Sequence, residues 1–86
     1  MPDLVTERAD RIDRTRIEPV WEQVAADLRE RIDAGELAAS HRLPSEQDLG
    51  TEYGVARMTV RKAIAALVDE NRLVVIRGRG TYVPAR

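Results

Sequence analysis

The spacing of apolar residues along this 86-residue chain changes twice, and each change marks an element. Residues 1–17 carry many charges and few large apolar side chains. Val5, Ile12 and Ile17 are too sparse to build an amphipathic face, and Arg8, Asp10, Arg11, Asp13 and Arg14 alternate in sign. Two readings fit this stretch: a flexible or weakly helical arm, and a helix that docks on a partner subunit. Pro19 then opens a strong helical signal, because proline suits a first helical turn whose N–H needs no partner. Trp21, Val24, Ala25, Leu28 and Ile32 form one apolar stripe at helical spacing. Glu22, Asp27, Arg29, Glu30 and Arg31 fall on the other faces, and Gly35 supplies a C-terminal cap.

Leu37–Leu43 reads as a loop anchored by its two leucines. Pro44-Ser45-Glu46 is a helix start, with Ser45 as cap and Asp48 three residues on in the manner of a capping box. Leu49 and Tyr53 share a face, and Gly54 closes this short helix. A third helix follows over about residues 56–70, its buried stripe made of Val60, Ala63, Ile64, Leu67 and Val68. Two short helices joined so tightly form a helix-turn-helix. The period then shifts to that of strands. Leu73–Ile76 and Thr81–Val83 flank the turn Arg77-Gly78-Arg79-Gly80, which predicts a β-hairpin. The expected architecture is α+β: three helices followed by a hairpin, a winged helix-turn-helix over residues 19–84, preceded by a charged arm over residues 1–18.

Composition narrows the function. The chain is 43% hydrophobic but only 3% aromatic, so its core is aliphatic. With no cysteine, disulfides, thiolate metal sites and cysteine nucleophiles are excluded. His41 is the one histidine and lies in a loop beside Arg42, more suited to solvent or a phosphate than to general-base work. Asp69 and Glu70 are neighbours on a helix and point apart. No catalytic constellation, metal site or cofactor site is expected, and an enzyme is not. No apolar run reaches the roughly 20 residues that cross a bilayer, and Met1-Pro2-Asp3 begins no hydrophobic signal core. The composition suits a cytoplasmic module without a membrane partner.

Charge is unevenly spread. The net charge of −1 divides into −1 over residues 1–18, −5 over residues 19–56 and +5 over residues 57–86. An acidic middle stretch and a basic last stretch suggest an anionic partner, although a solvated charged face gives the same count. Position sharpens this. With Val60 at the centre of the buried face, Met58, Arg61, Lys62 and Ala65 turn outward at about 100° per residue, and Arg57 sits at the border. A recognition helix lays its N-terminal residues in the major groove, where arginine pairs with guanine O6 and N7 in two-pronged fashion. Ser45 and Thr59 hydroxyls, with the N–H groups of the helix starts, suit phosphates. At the hairpin tip Arg77 and Arg79 flank Gly78, and arginine is favoured in a narrow minor groove. Gly78-Arg79-Gly80 lacks the remainder of a phosphate-binding loop, and no helix follows it.

Leu43-Pro44-Ser45-Glu46, Leu49, Tyr53-Gly54-Val55, Arg57, Thr59-Val60-Arg61, Ala63, Leu67 and Arg77-Gly78-Arg79-Gly80-Thr81-Tyr82-Val83 together resemble the DNA-binding domain of GntR-type bacterial transcription regulators. The resemblance spans Trp21 to Val83. It implies a regulator, usually a repressor, that binds a palindromic double-stranded DNA operator as a homodimer. It further implies base contacts by Arg57 and Arg61, phosphate contacts by Ser45, Glu46 and Thr59, and entry of Gly78 into the minor groove. Glu46 would then act through its backbone or a water. Gln47 stands where many members carry arginine, so its contact differs from theirs. Ala56 replaces a common serine cap, Met58 can pack on a thymine methyl, and Asn71 replaces a common glycine. Members of the family add an effector-binding domain, so this sequence is either a DNA-reading domain alone or a minimal regulator whose first 18 residues make the dimer. A winged-helix protein–protein interaction module remains the alternative, served by the acidic stretch of residues 19–56.

Overall fold

The computed structural model describes residues 9–85. Within them the chain forms α1 (Val20–Asp33), α2 (Glu46–Tyr53), α3 (Arg57–Asp69), β1 (Val74–Ile76) and β2 (Gly80–Tyr82). This is the expected order of three helices and a hairpin. The strands pair antiparallel, with Val74 opposite Tyr82 and Ile76 opposite Gly80.

Local chemistry accounts for the boundaries. The Ser45 hydroxyl accepts the Asp48 backbone N–H at 3.0 Å, so the Ser45 half of the predicted capping box forms. All three helices end in one motif: a left-handed residue follows the last turn, and two N–H groups reach back to orphan carbonyls. The left-handed residues are Gly35, Gly54 and Asn71, with φ of 79°, 68° and 63°. After α3 the returning bonds run from Asn71 N to Val68 O and from Arg72 N to Leu67 O. Asparagine thus fills the position where the family commonly has glycine, because its short polar side chain tolerates that conformation.

The core lies where α1 and α2 both pack on α3. Val24, Leu28, Leu49, Tyr53, Val60 and Leu67 are all but inaccessible to solvent. Leu43, Leu73 and Val83 extend the cluster beneath the hairpin. Trp21, placed on the buried stripe by its spacing, is only half-buried.

Two features depart from the periodicity. The loop before α2 is more ordered than its composition predicts. Arg42 bridges to Tyr82, and Leu43 N donates to Thr81 O at 2.8 Å while Val83 N donates to His41 O at 3.1 Å. The hairpin is therefore paired along its β2 side as well. Asp27, assigned by its spacing to a solvent face, is 7% exposed.

The reason for the second departure is the segment that precedes α1. Residues 1–8 of the expected arm lie outside the described residues. Residues 10–18 form turns and bends laid against α1. Gln23 holds them: its Oε1 accepts Asp13 N at 2.7 Å, and its Nε2 donates to Asp13 O and Glu18 O. Arg11 donates to Asp27 at 2.7 Å, Ile12 packs on the core, and Arg14 donates to Gly54 O at 2.9 Å. A polar face of α1 that looks solvated in the sequence is instead the seat of this segment. Nothing in the charge pattern of residues 10–18 points to Gln23 as their anchor.

Candidate nucleic-acid interface

The predicted contact residues come from three places: the start of α2, the first two turns of α3, and the hairpin tip. Ser45, Glu46 and Gln47 stand at the first place, with Ser45 and Gln47 exposed. Arg57, Met58, Thr59, Arg61 and Lys62 follow one another along α3. Val60 turns inward and is buried, Thr59 is half-buried, and the other four are exposed. Ala56 has no side chain with which to cap α3.

Tertiary packing joins the first two places through one carboxylate. Glu46 accepts Arg61 Nε at 3.0 Å and Arg61 Nη2 at 2.9 Å, a forked pair. Arg57 Nε lies 4.0 Å from the same carboxylate. The Arg61 hydrogen bond holds the Glu46 carboxyl below the usual carboxylate range, with the charges of Arg61 and Arg57 adding to it against partial desolvation. Glu46 also sits in the first turn of α2, where the helix dipole favours an anion. Both predicted base-reading arginines are thus gathered around an ionised glutamate.

Lys62 takes a different position. Its ammonium rests over the Trp21 ring, 4.9 Å from the centroid. That cation–π contact draws it toward α1.

At the tip, Arg77, Gly78 and Arg79 form the three-residue turn between the strands, closed by Arg79 N donating to Ile76 O at 2.9 Å. Gly78 has φ +79°, and a Cβ built there meets nothing within 4 Å. Backbone conformation, not crowding, calls for glycine at this position. All three residues are exposed. An open groove of about 430 Å³ runs between the tip and the start of α2, lined among others by Arg42, Ser45, Glu46, Arg77 and Arg79. The tip and the α2 start therefore share one groove, and the α2 start shares the Glu46 carboxylate with α3.

Arg42 is the residue that sequence reasoning missed. Its guanidinium crosses Gly80 so closely that a Cβ there would stand 3.0 Å from Nε. A basic residue just before Leu43-Pro44-Ser45 was its only signal. Among the described residues no group of acidic or histidine side chains could hold a metal, and no described helix is long and apolar enough to cross a membrane.

Comparison with known proteins places the fold in a family. The family model described as bacterial regulatory proteins, gntR family, matches residues 21–83. The mannosyl-D-glycerate transport/metabolism system repressor MngR of Escherichia coli is 48% identical over 65 residues, 76% of this chain and 27% of that protein. The transcriptional repressor NagR of Bacillus subtilis is 42% identical over the same shares. The DNA-binding domain of AraR, solved in complex with an operator, superposes with a TM-score of 0.74 at 34% identity, covering 78% of this chain and 81% of that one. YtrA from Sulfolobus acidocaldarius, a GntR-family transcription factor, gives a TM-score of 0.77 at 37% identity, with 87% and 64% covered. The chain spans about a quarter of the length of the curated relatives it matches.

Proposed function

The chain belongs to the GntR family of bacterial regulatory proteins, and from that premise we propose that it is a sequence-specific DNA-binding transcription regulator, a repressor working in the cytoplasm. The observation that carries this reading is the grouping of Arg57 and Arg61 at the front of α3, on the Glu46 carboxylate, next to the groove that leads to Arg77 and Arg79. In this reading α3 enters the major groove. Arg61 and Arg57 address base edges, and Met58 lies against a thymine methyl. Ser45, Gln47, Thr59 and the α2 backbone N–H groups at Glu46 meet phosphates. Lys62 contributes charge at the rim. The hairpin tip carries Arg77, Gly78 and Arg79 into the adjacent minor groove. Residues 19–84 are the DNA-reading unit, and a palindromic operator is bound by two copies.

Selection of bound sequences from a random duplex pool, followed by salt titration of the winner, tests this. The expected result is an enriched sequence whose binding weakens steeply with salt, by a slope of about 0.9 per phosphate neutralised. A pool that returns no enriched sequence at low salt overturns it and favours a protein-docking module.

A further inference from the structure

The carboxylate of Glu46 faces the surface on which a polyanion is proposed to bind, where charge alone would disfavour it. Its geometry gives it a purpose. Arg61 offers two forked edges, one from Nε and Nη2 and one from the two terminal nitrogens. Glu46 occupies the first edge, and the second remains for an outside acceptor. The Arg61 side chain is 51% exposed, and α3 alone would leave so long a side chain to sample many rotamers and to reach for any nearby phosphate. Glu46 stands 15 residues away in the chain, at the capped start of a different helix. The pair therefore fixes Arg61 relative to the whole helix-turn-helix. It also offsets the arginine's charge, so a phosphate gains little from it. A guanine edge, which offers two acceptors at fork spacing, keeps its full match.

We infer that Glu46 is a specificity-determining positioning residue: it holds Arg61, and secondarily Arg57, in place for bases and withholds them from phosphates. This rests on the DNA-binding reading above and deepens it. Side-chain contact of Glu46 with DNA is not required.

The test uses the 86-residue chain and two probes: the duplex that the wild type enriches from a random pool, and a scrambled duplex of equal length. Glu46→Gln keeps the shape and one accepting oxygen but removes the charge. The expected result is tighter binding to the scrambled duplex, a salt slope steeper by about 1, and a preference for the enriched duplex lower by about tenfold. Glu46→Asp, which keeps the charge on a shorter arm, restores the wild-type salt slope but not the full preference. An unchanged preference in Glu46→Gln overturns the inference and leaves the DNA-binding reading standing. Parallel loss on both duplexes, with a lowered unfolding midpoint, also overturns it, since that marks a merely structural pair. If the wild type itself enriches no duplex, the DNA-binding reading fails and the inference falls with it.

Discussion

The front and the back of this domain use the same chemistry to opposite ends. At the front, Arg61 and Glu46 meet in the open, with side chains 51% and 31% exposed. At the back, Arg11 meets Asp27, whose side chain is 7% exposed. Asp27 also accepts the Tyr53 hydroxyl at 2.5 Å, and Tyr53 accepts Arg31 Nη1 at 3.1 Å. Burial, then the Asp27 hydrogen bond, pushes the Tyr53 phenol well above its ordinary range, so it stays a donor. An exposed ion pair adds little stability and can be exchanged for another partner. A buried acid that has lost its partners is strongly destabilising. The difference shows where the molecule keeps its stability and where it keeps its freedom to bind.

That contrast can be broken at either end. The largest expected effect is at the back. Asp27→Ala takes away the acceptor of the buried Tyr53 O–H, which keeps only its bond from Arg31, and should lower unfolding free energy by about 1–3 kcal/mol. Urea denaturation measures it, and a change under about 0.5 kcal/mol would erase the distinction between the two faces. Next comes the front. Arg61→Ala should weaken binding to the enriched duplex by about 1–3 kcal/mol and relax one base position, while shifting stability by no more than about 0.5 kcal/mol. An equal loss on scrambled DNA would deny Arg61 a base-reading role. A smaller effect is expected at the tip. Gly78→Ala forces a left-handed residue with a Cβ and should destabilise by about 1 kcal/mol, whereas Gly78→Asn should be better tolerated, as Asn71 already is.

The smallest effect concerns pH. Glu46, Glu70 and Asp13 are all held below their ordinary values. The main causes are the hydrogen bonds from Arg61, from Arg29 and from Thr15 respectively. A depressed folded-state value means stability that is present above the ordinary value and lost as pH falls through the folded one. The unfolding midpoint should therefore hold from neutrality to about pH 5 and slide below about pH 4.5. A midpoint that rises on acidification would contradict these assignments.

The front of the molecule was legible in the sequence because its signals are local. The Ser45 cap, the left-handed residues at helix ends and the Arg77–Gly78–Arg79 turn each depend on a few neighbouring residues. The outward face of α3 follows from helical geometry once Val60 is placed inside. The back was not legible. Gln23 and Asp27 look like ordinary polar residues of an amphipathic helix, and nothing in their spacing says that a preceding segment will cover them. The outward angle of Lys62 follows from helical geometry, but only the approach of α1 to α3 sets the Trp21 ring beneath it.

By itself the sequence determined the order of elements, the aliphatic core and the charge on the outward face of α3. These follow from backbone preferences and the 3.6- and 2-residue periods, which act over short distances. Tertiary structure alone decided which charges meet. It set Glu46 against Arg61 across 15 residues, Arg11 against Asp27 across 16 and Arg31 against Tyr53 across 22. Electrostatic partners are chosen by distance in space and by local solvation, and neither exists until the helices have packed.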